Sequence, residues 1–92
     1  MADIELAARV LLKVCAVERL AVIEGILAEA VIADKYRKRL GRQHPVFGSG
    51  SLMSAAIRYD PVKRPAACDT NYLACIALVV DCLLAKGVHH VA

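Results

Sequence analysis

The sequence predicts an all-α fold, a small bundle of three to four helices, and three observations support this prediction. The chain has 92 residues, enough for a single helical domain over 1–92. It is 59% hydrophobic but only 4% aromatic, and its many small and aliphatic residues suit closely packed helices. Apolar residues recur at helical spacing in segments separated by stretches that contain Gly and Pro. Because so short a chain buries limited surface by itself, we also expect a homo-oligomer.

The first helix is predicted over 3–14. Asp3 is suited to be its N-cap, since a carboxylate there can accept a hydrogen bond from the free amides of the first turn. Apolar residues cover one side of the helical wheel, and Glu5, Arg9 and Lys13 form a polar stripe on the other side. This pattern predicts an ordinary amphipathic helix.

The second helix is predicted over 17–40 and is the longest. Its apolar face covers about half of the circumference, which is typical of a helix that packs against two neighbours. Acidic residues come early in this segment and basic residues come late, and both placements favour the helix dipole. Gly41 should end the helix, because glycine is the favoured residue just past a helix C-terminus.

A short third helix is predicted over 51–58, with Ser51 as its N-cap, and a connector with two prolines follows it. The last helix is predicted over 70–86. Its apolar residues fill about 200° of the helical wheel, so it should be central in the bundle or covered by a partner subunit. The residues assigned to the core or to an oligomer seam are Leu73, Ile76, Val80, Leu83 and Leu84.

Three cysteines, Cys68, Cys75 and Cys82, follow one another at intervals of seven residues. Seven residues along a helix advance about 10.5 Å, more than the roughly 7 Å between Cα atoms that a disulfide tolerates. The thiolate ligands of structural zinc sites are closer together in sequence than these cysteines. Packing is therefore the favoured interpretation, and a thiol-based sensor stays open if Cys75 or Cys82 is exposed with a lowered pKa.

No catalytic, cofactor-binding or metal-binding set is predicted from the remaining residues. His44, His89 and His90 make no metal-ligand pattern, and no nucleophile–histidine pair is supported by its spacing. The N-terminus lacks the basic region of a secretory signal, and the longest apolar run is far below the roughly 20 residues of a membrane helix. We therefore expect a cytoplasmic protein that is not an enzyme, binds no cofactor and has no membrane partner.

The charge of the chain is uneven, although its net value is only +3. Residues 1–34 carry six acids and three bases, whereas residues 35–64 carry eight bases and one acid. Such a basic segment can contact the phosphates of nucleic acid, or it can be a solvated helix end that its own dipole stabilises. No short turn between helices predicts a helix-turn-helix reader of DNA sequence. The candidate DNA-binding residues are Lys35, Arg37, Lys38, Arg39, Arg42, Arg58, Lys63 and Arg64.

The loop FGSGS contains two glycines, Gly48 and Gly50, just before the third helix. Backbone amides in such a position can hold a phosphate. The lysine that follows the glycines in a nucleoside-triphosphatase loop is absent here, and no strand leads into the loop. A flexible turn with Ser51 as the helix cap is the favoured interpretation.

The run DKYRKRLGRQHPVFGSGSLMSAA, between an amphipathic N-terminal helix and an apolar C-terminal one, resembles a family of small helical proteins from alphaproteobacterial gene transfer agents. In that family the corresponding protein is a small-terminase-like subunit, encoded beside the large terminase. Residues 36–56 are the most specific part of the resemblance, which covers most of the chain.

The resemblance implies a DNA-packaging accessory, an oligomer that binds double-stranded DNA weakly and without sequence preference and assists a large terminase. The basic segment would supply the phosphate contacts, and the apolar last helix would supply the subunit contacts. An alternative from the residues alone is a helical adaptor that binds another protein and no nucleic acid. The two hypotheses differ in salt dependence, because phosphate contacts release counterions and apolar contacts do not.

Overall fold

The computed structural model describes residues 2–66 and 69–85 of the chain and confirms the all-α prediction. A one-turn 3-10 segment, Ala16–Glu18, leads directly into the second helix. Cys68, His89, His90 and the predicted end of the last helix at residue 86 lie outside the described residues. The helices are α1 (Ala2–Leu11), α2 (Arg19–Leu40), α3 (Leu52–Ile57) and α4 (Thr70–Ala85).

The core forms where α1 lies between α3 and α4, with α2 packed mainly against α3. Small residues allow this close approach, since Ala7 and Ala8 of α1 and Ala55 and Ala56 of α3 are all fully buried. Larger side chains fill the remaining space. They include Val10 and Leu11 of α1, Ile23, Ile26 and Leu27 of α2, and Tyr72, Cys75 and Val79 of α4.

The bounds of α1 differ from the prediction at both ends. The helix already includes Ala2, so Asp3 lies within its first turn and is not the N-cap. It ends at Leu11, three residues early, because the chain then tightens into a turn in which the amide of Val14 donates to the carbonyl of Leu11. Arg19 fixes this end, with Nε donating to the carbonyl oxygens of Leu11 and Val14 at 3.0 Å each.

The polar stripe Glu5, Arg9 and Lys13 is not simply exposed to solvent, as it would be in an ordinary amphipathic helix. Its side chains bond to the connector between α3 and α4. Arg9 Nε donates to the carbonyl of Val62 at 2.7 Å, and Lys13 Nζ donates to the carbonyl of Asp60 at 2.7 Å. Glu5 pairs with Arg64 further along the connector. These charged groups therefore position the chain that leads into α4.

The predicted caps of α2 and α3 are confirmed, and the structure also shows a cap on α4. Gly41 follows α2 with φ 72°, in the left-handed region, and its amide donates to the carbonyl of Arg37 at 2.8 Å. Ser51 caps α3, since its hydroxyl accepts from the amide of Ser54 at 3.0 Å. Asp69 caps α4, where one carboxylate oxygen accepts from the amide of Tyr72 at 2.9 Å. Each cap satisfies backbone groups that a helix end leaves open.

The position of α4 separates the five residues that the sequence assigned to the core or to an oligomer seam. The central helix is α1, and α4 buries Tyr72, Cys75, Val79 and Cys82 in the core, while its partly buried Ile76, Leu78 and Leu83 pack against that core. Ile76, Val80 and Leu83 are partly buried, but Leu73 is 48% and Leu84 65% exposed, so neither of these leucines is a core residue. Within the described residues, no helix is both long and apolar enough to cross a membrane.

Candidate interface at the end of the long helix

Of the eight candidate DNA-binding residues, four form ion pairs with carboxylates among the described residues and four do not. Two of the paired residues, Arg37 and Lys38, belong to one cluster near the end of α2. Asp34 accepts from Arg37 at 2.9 Å and from Lys38 at 2.8 Å, one turn away along the helix. These hydrogen bonds, that of Lys38 first and that of Arg37 second, lower the pKa of the Asp34 carboxyl below its ordinary value.

Two more of the basic residues join separate elements. Arg58, just after α3, donates to Glu29 of α2 at 2.7 Å, and its guanidinium lies 5.0 Å from the centre of the Phe47 ring. Arg64, in the connector, pairs with Glu5 of α1. Both arginines therefore have structural partners, and the structure does not bring them into one surface with the end of α2.

The remaining four, Lys35, Arg39, Arg42 and Lys63, are exposed and have no carboxylate partner among residues 2–66 and 69–85. Lys35 and Arg39 are one turn apart on α2, and Arg42 follows the helix directly. Lys63 belongs to the connector that runs beside α1. The unpaired positive charge is thus concentrated at the C-terminal end of α2.

A groove of ≈ 460 Å³ runs beside the two unpaired cations of α2. Its apolar side chains are Ile32, Tyr36 and Leu40, spaced four residues apart so that they form a stripe along the helix. Ile32 is 49% and Leu40 51% exposed. The groove is completed by Lys35, Arg39 and, from the loop, His44.

The loop places His44 by hydrogen bonds and by ring contacts. Its backbone exchanges two hydrogen bonds with Gly48, at 3.0 and 3.1 Å. Its ring Nδ1 accepts from the amides of Val46 and Phe47, at 3.0 Å each. The ring stacks on Phe47, with centroids 4.7 Å apart, and meets the ring of Tyr36 edge-on at 4.8 Å. One side of the groove is therefore fixed relative to α2.

The glycine loop is bonded to α2 and α3, which favours a turn over a phosphate site. The amide of Ser49 donates to Ser54 Oγ at 3.0 Å, and the amide of Gly48 donates to the carbonyl of His44. Arg37 Nε donates to the carbonyl of Ser49 at 3.0 Å. The amides of Gly48 and Ser49 therefore already have acceptors and are not free to bind an anion, and the helix that follows, α3, has only six residues.

Comparison with known proteins identifies the family of the chain. A family model described as a domain of unknown function, DUF7742, matches residues 1–83. The chain belongs to the DUF7742 family. Neither the comparison with curated proteins nor the comparison with solved structures found a match.

The cysteines of this DUF7742 domain do not fit the thiol-sensor hypothesis, which requires Cys75 or Cys82 to be exposed. Both are buried in the face that α4 packs on the core. Burial raises the pKa of the Cys75 thiol, the reverse of what a reactive thiolate needs. Of the three cysteines in the described residues, the exposed one is Cys15, before the 3-10 segment, and nothing in its sequence spacing distinguished it.

The groove was not predicted from the sequence. The intervals of four residues between Ile32, Tyr36 and Leu40 are the signal in the sequence that could have shown a second apolar stripe. The position of His44 could not be found in this way, because it depends on how the loop folds back on α2. A second apolar stripe, Leu73, Ala77, Val80 and Leu84, lies along α4 at spacings of four, three and four residues, and all of it but the partly buried Val80 is exposed.

Proposed function

We propose that this DUF7742 domain is a DNA-packaging accessory of the small-terminase kind. In this role it forms a homo-oligomer, binds double-stranded DNA weakly and without sequence preference, and assists a large terminase. The resemblance of residues 36–56 to the gene-transfer-agent proteins suggests this role.

One observation supports the DNA contact most directly. Lys35, Arg39 and Arg42 are exposed at one helix end and have no carboxylate partner among the described residues. An unpaired cation can move onto a phosphate without first leaving an acidic partner, so these three are better placed than Arg58 or Arg64. We assign the phosphate contacts to the end of α2, and not to all eight residues.

The largely exposed apolar stripe of α4 supports the oligomer. Leu73, Ala77, Val80 and Leu84 follow the spacing of a helix seam that packs against another helix. A stripe with two leucines this exposed leaves apolar area in water, and a second copy of the chain would cover it. In this arrangement α4 supplies subunit contacts and α2 keeps its basic end open.

The DNA contact is tested by binding of random-sequence duplex DNA to two charge-matched variants across a salt series. K35Q/R39Q removes two unpaired cations of α2, and K63Q/R64Q removes the same charge from the connector. We expect K35Q/R39Q to weaken binding and to lower the salt slope by about 2, since each lost phosphate contact removes about one. We expect K63Q/R64Q to bind nearly as the unchanged protein does.

Equal losses in the two variants would show that only net charge matters and would contradict the assignment to α2. No binding by the unchanged protein at low salt would contradict the DNA role and would favour the adaptor hypothesis.

The oligomer is tested separately by light scattering. L73S/L84S should lower the mass of the particle, whereas V17S/I57S, which changes two exposed aliphatic residues elsewhere, should not. Binding of a purified large terminase to the unchanged protein tests the remaining partner.

A further inference from the structure

We propose that the groove beside α2, lined by Ile32, Tyr36, Leu40, Lys35, Arg39 and His44, binds an acidic amphipathic helix of a partner protein. We further propose that this helix and DNA exclude one another, because both need Lys35 and Arg39. Binding of the helix follows from the groove alone. Only the mutual exclusion of helix and DNA rests on the proposed function.

The apolar side chains of the groove are the first reason to expect a protein partner. Ile32, Tyr36 and Leu40 span eight residues of α2, or about 12 Å along the axis. Ile32 and Leu40 are each about half exposed. A phosphate backbone gains nothing from covering such a stripe. The apolar face of a helix, with residues at positions i, i+3 or i+4 and i+7, matches its length and spacing.

The charges of the groove decide what kind of helix fits. Lys35 and Arg39 line the groove and have no carboxylate partner among residues 2–66 and 69–85. A docked neutral or basic helix would take these cations partly out of water without neutralising them, which is unfavourable. Carboxylates on the flank of the docked helix would pair with both. The partner surface is therefore acidic beside an apolar stripe.

The loop side of the groove, formed by His44, is held in place by contacts within the protein. His44 Nδ1 accepts from two backbone amides, and its ring is held between Phe47 and Tyr36. With Nδ1 used as an acceptor, a neutral ring carries its hydrogen on Nε2 and keeps one donor for a partner. A groove whose walls are fixed before binding loses less conformational entropy when it is filled.

The docking is tested with two synthetic 16-residue peptides of identical composition, titrated into the isotope-labelled protein and followed by backbone amide NMR. In the first peptide, Leu residues repeat at i, i+3, i+4 and i+7 and Glu fills the flanking positions. In the second, the same residues are scrambled so that no apolar face forms. We expect the first peptide to shift the amides of residues 32–44 and the scrambled one to bind at least about tenfold more weakly.

Variants separate the two parts of the groove. I32S/L40S removes apolar side chains and keeps the charges, and we expect it to lose peptide binding at least about tenfold while its DNA affinity stays unchanged. K35Q/R39Q should weaken the binding of both the peptide and DNA. V17S/I57S, with two exposed aliphatic residues outside the groove, should keep both. Equal binding of the two peptides, or no effect of I32S/L40S on peptide binding, would overturn the docking.

The exclusion is tested by adding the amphipathic peptide to the protein bound to labelled duplex DNA. We expect the peptide to release the DNA from the unchanged protein, and to fail with I32S/L40S. A complex that holds peptide and DNA together would overturn the exclusion. If the peptide binds the groove but the protein binds no DNA at low salt, the proposed function fails and the docking stands.

Discussion

Gly50 lies directly against the backbone of α2 at Asp34, and a Cβ on Gly50 would be 2.7 Å from the Cα of Asp34. Gly50 also has φ 98°, in the left-handed region that residues with side chains rarely adopt. This contact brings the glycine loop onto α2, beside Arg37, which bonds to the loop carbonyl of Ser49. The loop that carries His44 to the groove is therefore fixed by a position that only glycine can fill.

Substitution of Gly50 by Ala should destabilise the protein by about 2 kcal/mol or more, because the methyl group meets backbone atoms and the φ angle is strained. G25A is the matched control. Gly25 lies within α2, and a Cβ there would have no neighbour within 4 Å, so alanine should stabilise by about 0.5–1 kcal/mol. Urea unfolding of both variants measures the difference. A neutral G50A would contradict the close packing of the loop.

Glu29 joins α2 to the end of α3, and E29A should lower the free energy of unfolding by about 1–2 kcal/mol. Its two carboxylate oxygens accept from Arg58 and from the Tyr59 hydroxyl, at 2.7 Å each. Glu24 supplies the control, since it is exposed on the same helix and has no ion pair among the described residues. If E24A and E29A cost the same in urea unfolding, the two bonds of Glu29 contribute nothing.

The Asp34 carboxyl should make the protein less stable in acid. The pKa of this carboxyl is lowered from 3.8 in the folded protein, so its contribution to the free energy of unfolding is fully present above that pH. The contribution falls as the pH drops through the lowered pKa, because protonation then breaks the bonds from Lys38 and Arg37. D34N should be the less stable protein at neutral pH, and the difference in stability should narrow as the pH falls below 3.8 and through the lowered pKa. Thermal unfolding curves measure this difference between D34N and the unchanged protein, and a difference that stays constant as the pH falls below 3.8 would refute the prediction. E24Q is the control for loss of a carboxylate that has no such partners.

Native labelling by iodoacetamide at pH 8 should separate the cysteines by their burial. Cys15 is exposed and should react fast, whereas Cys75 is buried and its pKa is raised, so little thiolate is available. We expect at least a roughly tenfold lower rate at Cys75 than at Cys15, read by peptide mass mapping. Labelling in urea should remove the difference. Equal native rates would show that α4 does not bury this thiol.

Local signals in the sequence were enough for most of the fold. Gly41 and Ser51 end and begin their helices as predicted, because a cap needs only the residue itself and the adjacent backbone. The prediction was wrong at Asp3, since the helix already includes the residue before it. The sequence left open whether Leu73 and Leu84 belong to the core or to an oligomer seam, because a helical wheel shows which residues are apolar but not which side a neighbouring helix covers.

The sequence by itself determined an all-α chain with a basic segment in its middle, since helix periodicity, caps and charge are properties of consecutive residues. The tertiary structure decided which of the charges stay available. Arg58 and Arg64 lie far along the chain from Glu29 and Glu5, and only the packing of α1, α2 and α3 brings each pair together. The groove is a further product of tertiary structure, because it needs the loop to return His44 to the side of α2, and the contact of Gly50 with Asp34 makes that return possible.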